Sequence, residues 1–433
     1  MADRKIGIFV EEVCRVEGHG NIVLNATNGQ IEELRLEITE SPRFYEAMML
    51  GRRWDEATHI SCRICGICSI AHTTASVHAI EDAFGIQPSE QTVALRKIAY
   101  HGEMFQSHVL HYYYLAAPDF LGVPSVFPLI QTHPEEVKRA LRLKRLGNDL
   151  CRLAVGRHLH PQAYIPGTVT KIPPREELEA IHQRCVDARA DVDAAVELFA
   201  TLELPDFQRP CEGLASWQSD EYGMYKAEKI KSTMGDMTDV HDYLSKIHEF
   251  VVPHSHAKHA KTEHGAYMVG ALARYRNNAE QLHPRAKAAA EHLSMGSLLD
   301  NPFAITVAQV VESVHSLEEA IKWVEWCLEH ELEHEDWSVK PRAGRGVGIT
   351  EAPRGLLIHD YTFDDDGKLL NVNCIIPTNQ NLNNIEHDFR ALVPKIIDRP
   401  DDEIRLLLEM LVRAYDPCIS CATHLLHVHI KRE

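Results

Sequence analysis

No stretch of the chain stays apolar for long enough to cross a bilayer. The best candidate, residues 109–130, is interrupted by His111, Pro118, Asp119 and Pro124, whereas a helical span needs about 20 mostly apolar residues in a row. The opening Met-Ala-Asp-Arg-Lys has no apolar core of an export signal. The expectation is therefore a cytoplasmic protein without direct membrane insertion, although a twin-arginine export signal carried by a partner stays open. Positive charge is also scarce: 45 Lys and Arg against 63 Asp and Glu leave a net charge of −18. Such a surface makes a poor nucleic-acid partner, because phosphate affinity needs clustered Lys and Arg, and anionic lipid repels it. Repeats, low-complexity tracts and linkers rich in Pro, Gly and Ser are missing too. Cysteine is sparse and odd in number, 11 in 433 residues, which excludes a disulfide scaffold. In a large chain of this kind, closely spaced cysteines point to metal or catalysis instead.

Hydrophobic residues make up 45% of the sequence, enough to bury a large core. Residues 6–10, 22–25 and 31–38 alternate in strand fashion, and Asn28-Gly29 between the last two runs is a strong hairpin signal. A second hairpin is expected late, with 356–363 and 369–376 flanking Asp364-Asp365-Asp366-Gly367. Between them, residues 91–115, 136–159, 175–202, 278–293 and 307–328 carry apolar residues at helical spacing. A last helix opens at Arg399-Pro400-Asp401-Asp402 and runs to about Ala414. The fold class expected is α+β: one large, mostly helical domain over residues 1–433, with a bundle of long helices at its core. An N-terminal β region spans 1–40, a late β-hairpin 355–377 and a C-terminal tail 425–433.

The chemistry-bearing residues lie at the two ends. Cys62-Arg63-Ile64-Cys65-Gly66-Ile67-Cys68 is followed by His72, and Asp416-Pro417-Cys418-Ile419-Ser420-Cys421 by His424. Each Cys-x-x-Cys lets both sulfurs of a turn face one point, and four thiolates favour soft or borderline metals. Zinc ribbons place their second pair within about 15–20 residues of the first; here nearly the whole chain intervenes. A finished fold must assemble such a site, since closing so long a loop carries an entropic penalty that no small metal knuckle faces. Spacing alone leaves structural zinc, an iron–sulfur cluster and a rarer centre all open.

The motifs Arg-x-Cys-Gly-x-Cys-x-x-x-His and Asp-Pro-Cys-x-x-Cys-x-x-His resemble the two signatures of nickel–iron hydrogenase large subunits. Arg15-Val16-Glu17-Gly18-His19, Arg43-Phe44-Tyr45-Glu46, Glu351-Ala352-Pro353-Arg354-Gly355 and Ile376-Pro377-Thr378 are similar to further motifs of that family, in consistent order along the chain. The resemblance implies reversible heterolytic cleavage of H2 at a Ni-Fe(CN)2(CO) centre. Cys65 and Cys418 would be terminal nickel ligands, and Cys68 and Cys421 would bridge nickel to iron. Glu17, otherwise a plain surface acid, matches the family's proton-relay carboxylate, with the Cys418 thiolate as first proton acceptor. Arg354 matches the arginine above the open metal site, and Asp416 would sit beside it. Thr378 would hydrogen-bond a cyanide, with Pro377 lining the pocket. His72 would bond the bridging Cys68, unless it is simply a satisfied core histidine. Glu46 and His424 match side-chain ligands of a buried Mg2+ (or Fe2+) ion, completed by the backbone carbonyl of Cys374.

Three features depart from that pattern or add to it. Ser107 stands where many respiratory relatives have Asp, which leans away from the membrane-bound uptake type. Residues 425–433 continue past His424, where a maturation protease usually cuts, so this is either a precursor or a member that keeps its tail. Cys62 is an extra thiol, read as a small buried residue. The remaining cysteines are scattered singly, so electrons must leave through another protein. The resemblance implies an iron–sulfur small subunit with 4Fe–4S clusters, and beyond it a diaphorase or other electron-transfer subunits serving NAD(P), a deazaflavin coenzyme or another soluble acceptor. Gly344-Arg345-Gly346-Val347-Gly348 lacks the context of a nicotinamide-binding loop. The histidines at 254, 256, 259 and 264 read as a solvated or subunit-facing segment. An H2-sensing regulatory protein with the same site is the alternative; a structural zinc protein and a quinone-side relative of complex I, which lacks the four cysteines, fit less well.

Overall fold

The computed structural model describes residues 5–335 and 337–423. His424 and the tail 425–433 lie outside the described residues. The chain opens with an antiparallel sheet of β1 (Lys5–Val10), β2 (Gly20–Thr27) and β3 (Gln30–Ile38) in that spatial order. Ile6, Ile8 and Val10 point inward and their neighbours outward, as the period-two pattern requires. The β2–β3 turn has positive φ at Asn28 (52°) and Gly29 (78°), the mirror-image geometry that suits the right-handed twist of a hairpin.

A short helix α1 (Tyr45–Met49) leads to α2 (Ser69–Phe84). Then come α3 (Glu90–Val109), which continues as a π-helical turn over Leu110–Ala116, α4 (Pro134–Val155) and α5 (Arg175–Ala200). With α6 (Ile305–Glu329), α3 to α5 form the expected bundle. The bundle crosses tightly where Gly102 of α3 meets Gly147 of α4. A Cβ on Gly147 would lie 2.7 Å from the Gly102 carbonyl oxygen, so only glycine lets the backbones approach this closely.

The region between α5 and α6 departs from the expectation of a helical body. A four-stranded sheet forms there, with strands β4 (Glu212–Trp217), β5 (Lys229–Ser232) and β6 (Met237–Asp239). A separate pair, β7 (His248–Phe250) and β8 (His259–Lys261), follows, and β9 (Tyr267–Met268) then joins the outer edge of β4. The helix expected over 278–293 is broken: Ala271–Asn278 and Pro284–His292 are separate helices, because Pro284 cannot continue a helix but can start one.

The late hairpin has a third strand. Strands β10 (Gly344–Ala352), β11 (Gly355–Phe363) and β12 (Leu369–Ile375) pair antiparallel in that order. β10 lies against α2, where a Cβ on Gly346 or Gly348 would fall 2.0 Å from the carbonyl oxygens of Ala79 and Ala75. The glycines there serve close helix–strand packing. Helices α7 (Pro377–Ile396), α8 (Asp401–Ala414) and the single turn α9 (Ile419–Ala422) complete the described chain. Besides its apolar stripe, helix α7 carries a buried amide ladder in its first turn: Asn379 donates to Lys258 O (3.1 Å) and Ala422 O (3.2 Å), Gln380 to Leu356 O (2.6 Å) and Asn381 to Val269 O (3.2 Å). Within the described residues no helix is long and apolar enough to cross a membrane.

Candidate metal centre

Cys65 sits in the extended link between a 3-10 turn (Cys62–Ile64) and α2, and Cys68 caps the start of α2. The amides of Ile67 and Cys68 both donate to Cys65 Sγ at 3.2 Å, so the tight turn aims this sulfur into the protein. From the other end of the chain, Cys418 caps α9 and Cys421 lies within it, their sulfurs paired to each other. Cys65 Sγ lies 3.4 Å from Cys418 Sγ, and Cys68 Sγ 3.8 Å from Cys421 Sγ. All four sulfurs fall within 4.8 Å of one another and all four residues are buried. Cys62 is not part of the group. Its thiol donates to His59 O, and burial pushes its pKa up to about 11.

Backbone pairing brings the ends together. Ile419 N donates to Glu17 O (2.9 Å), and Glu17 N to Pro417 O (3.4 Å). Gly18 permits this, with φ +87° and no room for a side chain: a Cβ would lie 2.7 Å from Ile419 Cβ. Glu17 Oε2 is then 3.2 Å from Cys418 Sγ and accepts from Ser420 N at 3.1 Å, while Ser420 Oγ donates to Oε1. The carboxylate is half-buried, one oxygen on the thiol and the group as a whole reaching toward the surface. Arg43 ties both motifs from below, donating to Ile64 O (2.6 Å) and to Ser420 O.

Arg354 occupies the two-residue turn between β10 and β11. It is buried, donating from Nε to Asp416 O (2.7 Å) and from Nη2 to Asp416 Oδ1 (3.0 Å). The turn itself is held by Arg274, wholly buried, which grips Glu312 at 2.7 and 2.6 Å and Glu351 at 2.8 Å, and also donates to the carbonyls of Ala352 and Pro353. Asp416 has φ 48° and also accepts from Gln309 Nε2 at 3.1 Å. Gln309 in turn meets His111, whose Nε2 is 2.6 Å from Arg413 O. Burial opposes ionisation of Cys65, yet its contact with Cys68 and the charge of Arg354 outweigh that and lower its pKa. Cys68 is raised by the same contact and by burial.

Thr378 opens α7 just after the buried Pro377, and its Oγ1 accepts from Cys418 N at 3.0 Å, which leaves the hydroxyl proton unused by that bond. His72 Nδ1 is 3.1 Å from His359 Nε2, and His359 Nδ1 is 2.6 Å from the Tyr361 hydroxyl. Glu46, buried in α1, accepts from Cys374 N at 2.7 Å, so these two residues of the expected magnesium site are adjacent. The third, His424, lies outside the described residues. Ser107 is buried.

Sequence reasoning missed Arg43 and Gln309 as positioning residues, and Ser420 as the partner of Glu17. It also missed Glu103. That carboxylate accepts from Ile70 N (2.6 Å) and Ala71 N (2.7 Å) at the start of α2, and burial pushes its pKa up to about 8. An acid flanked by Gly102, Met104 and Phe105 in a long helix was the available signal, since such a group is seldom buried without a partner.

The donor set fits a soft-metal pair. Four buried sulfurs converge from two directions, and beside them Arg354 Nη1 is buried without a hydrogen-bond partner among the described residues. A buried guanidinium nitrogen left this way is costly, and it calls for an acceptor that these side chains do not supply.

Comparison with known proteins agrees with this chemistry. The nickel-dependent hydrogenase family matches residues 43–141 and 219–424, which contain all four cysteines. The chain is 35% identical to the alpha subunit of sulfhydrogenase 1 from Pyrococcus furiosus, over 99% of this chain and 100% of that one. It is 26% identical to the beta subunit of an NAD-reducing hydrogenase from Cupriavidus necator, over 97% and 95% of the two chains. A solved NAD+-reducing nickel–iron hydrogenase in its H2-reduced state superposes with a TM-score of 0.87 at 28% identity, covering 97% of this chain and 99% of that one. With motifs, fold and sulfur geometry in agreement, this chain belongs to the nickel-dependent hydrogenase family, as the catalytic large subunit of a nickel–iron enzyme.

Proposed function

We propose that the chain cleaves and forms H2 reversibly at the four-cysteine site and passes electrons to an iron–sulfur small subunit with 4Fe–4S clusters. From there they go to a soluble acceptor, NAD(P) or a deazaflavin coenzyme, through a diaphorase or other electron-transfer subunit. The convergence of Cys65, Cys68, Cys418 and Cys421 from opposite ends of the chain carries this reading. The solved NAD+-reducing enzyme supports the choice of acceptor.

A nickel–iron pair carrying CO and cyanide supplies, when bound, a redox-active Lewis acid that polarises H2. Cys65 and Cys418 would hold nickel alone, and Cys68 and Cys421 would be shared with iron, all four as separate thiolates. Arg354, braced by Asp416, keeps a positive charge over the sulfurs and offers its free Nη1 as a donor to a cyanide nitrogen. Thr378 has a hydroxyl proton for the second cyanide, with Pro377 lining the pocket. Cys418 takes the proton released from H2 and hands it to Glu17 Oε2, which is 3.2 Å away and within direct transfer distance. Ser420 fixes the carboxylate for that transfer. His72, paired with His359, would orient Cys68 as a bridging ligand. Glu46, His424 and the carbonyl of Cys374 would hold Mg2+ under the C-terminal motif.

The direct test is metal analysis with infrared spectroscopy of the purified complex. The expected result is nickel and iron together with bands of metal-bound CO and cyanide. Zinc without nickel would overturn the proposal. Purification with native partners then names the acceptor.

A further inference from the structure

Four histidines between residues 254 and 264 take no part in the four-cysteine site. Two have other surroundings: His256 Nδ1 is 3.0 Å from Glu40 O, and His264 is exposed beside Glu263. The other two converge, where a solvated or subunit-facing segment was expected. His254 Nε2 is 2.8 Å from Glu386 Oε1. The His259 ring stands edge-on to that of His254, with centroids 5.8 Å apart and planes at 85°. One donor atom from each of His254, His259 and Glu386 lies within 4.8 Å of the other two.

His259 opens strand β8 and is 1% exposed, and Glu386, in the middle of α7, is 5% exposed. The Nε2 of His259 is buried with no hydrogen-bond partner among the described residues. A buried nitrogen in that condition is destabilising unless something meets it.

We propose that His254, His259 and Glu386 form a second metal site, for a divalent first-row transition ion of which zinc is the best match. Two imidazoles and one carboxylate, with a position left for water, are a common three-ligand zinc set. Magnesium and calcium prefer all-oxygen surroundings. Leu36 N donates to Glu386 Oε1 at 3.2 Å and orients the carboxylate from β3. Arg390 Nη2, 3.7 Å from Glu386 Oε2, is the opposing charge; its side chain is half exposed and free to turn outward. The His254 side chain keeps 22% of its surface open and forms the entry. An ion here clasps the 248–261 segment to α7. That helix starts with Pro377 and Thr378, about 12 Å away at 1.5 Å per residue, and its Asn379 already ties Lys258 to Ala422.

The site is independent of the hydrogenase reading, and its test keeps the two apart. The purified complex, with nickel and iron in place, is dialysed against a chelator and titrated with Zn2+. Metal content is then counted and X-ray absorption recorded at the zinc edge. Wild type should take up one further zinc per chain and unfold at a higher temperature with it. Its zinc should be surrounded by nitrogen and oxygen at about 2.0–2.1 Å, with no sulfur. His259→Ala and Glu386→Gln should each lose that zinc while keeping nickel and iron, and Glu46→Gln should retain it. No added zinc in wild type, sulfur in the zinc shell, or undiminished uptake by both variants overturns the proposal. Should the variants fail to assemble, the wild-type absorption spectrum decides alone. Nickel and iron content reports on the hydrogenase site in the same samples.

Discussion

Replacing Glu17 by Gln takes away a proton acceptor while keeping the shape of the side chain. The amide oxygen, in the place of Oε1, still accepts from Ser420 Oγ, while the bond from Ser420 N to Oε2 is lost. The amide nitrogen then faces Cys418 Sγ across the 3.2 Å gap, where it can donate but not accept. Because the residue is half-buried and loses only the bond from Ser420 N, stability should fall by about 1 kcal/mol. Catalysis should not be spared. A positioned general base contributes about 10²–10⁴-fold, or about 3 to 5 kcal/mol of barrier. The assay is exchange between D2 gas and water, followed by mass spectrometry of HD and H2. Exchange should slow by that factor while nickel and iron contents stay at wild-type levels. Conversion of para- to ortho-hydrogen, which needs cleavage but no proton reaching water, should persist. Exchange at the wild-type rate would remove Glu17 from the mechanism, and loss of metal would show that it is structural.

Cys421→Ser replaces a soft ligand by a hard one and should abolish activity and iron retention together; full iron content in that variant would refute its bridging role. Arg274→Met leaves Glu312 and Glu351 buried without their partner. It should destabilise the protein by about 3–5 kcal/mol and loosen the Pro353-Arg354 turn, read as a lower unfolding midpoint and reduced turnover. An unchanged midpoint would refute the clamp. Acid should destabilise the fold through the facing rings of His101 and His315, which burial holds neutral with pKa values pushed down to about 3 and about 4. Between the ordinary histidine value and about pH 4 only the unfolded chain binds these protons, so stability is fully present above about 6.5 and falls with falling pH, by about 2 kcal/mol per ring near pH 5. His101→Phe should flatten the dependence of unfolding temperature on pH; an unaltered slope would count against this account.

Hydrophobic period alone found the N-terminal hairpin, β11 with β12, and the long helices α3 to α6, since each of these buries one face. Helix α2 escaped it because nearly every residue from Ser69 to Phe84 is buried, which erases the amphipathic contrast. Helix α7 was missed although Leu382, Ile385, Phe389, Leu392, Val393 and Ile396 give it a buried apolar stripe; its first turns bury Asn379, Gln380, Asn381 and Asn384, polar residues whose partners lie on remote segments and which dilute that pattern. In strand β10 the sequence showed only glycines without the context of a nicotinamide-binding loop, and the contact with Ala75 and Ala79 explains them.

The family, the four sulfurs and the motif residues Glu17, Arg354, Asp416 and Thr378 were legible in the linear sequence, because metal and proton chemistry restrict residue type and local spacing within short turns. Which atoms face which was not. The Glu17–Ser420 grip, the unpartnered Nη1 of Arg354, the Arg274 clamp and the meeting of His254 and His259 with Glu386 join positions up to four hundred residues apart. Pairings at that range arise from packing the whole chain, where burial strips water from polar groups and leaves each to be satisfied by whatever the fold brings beside it.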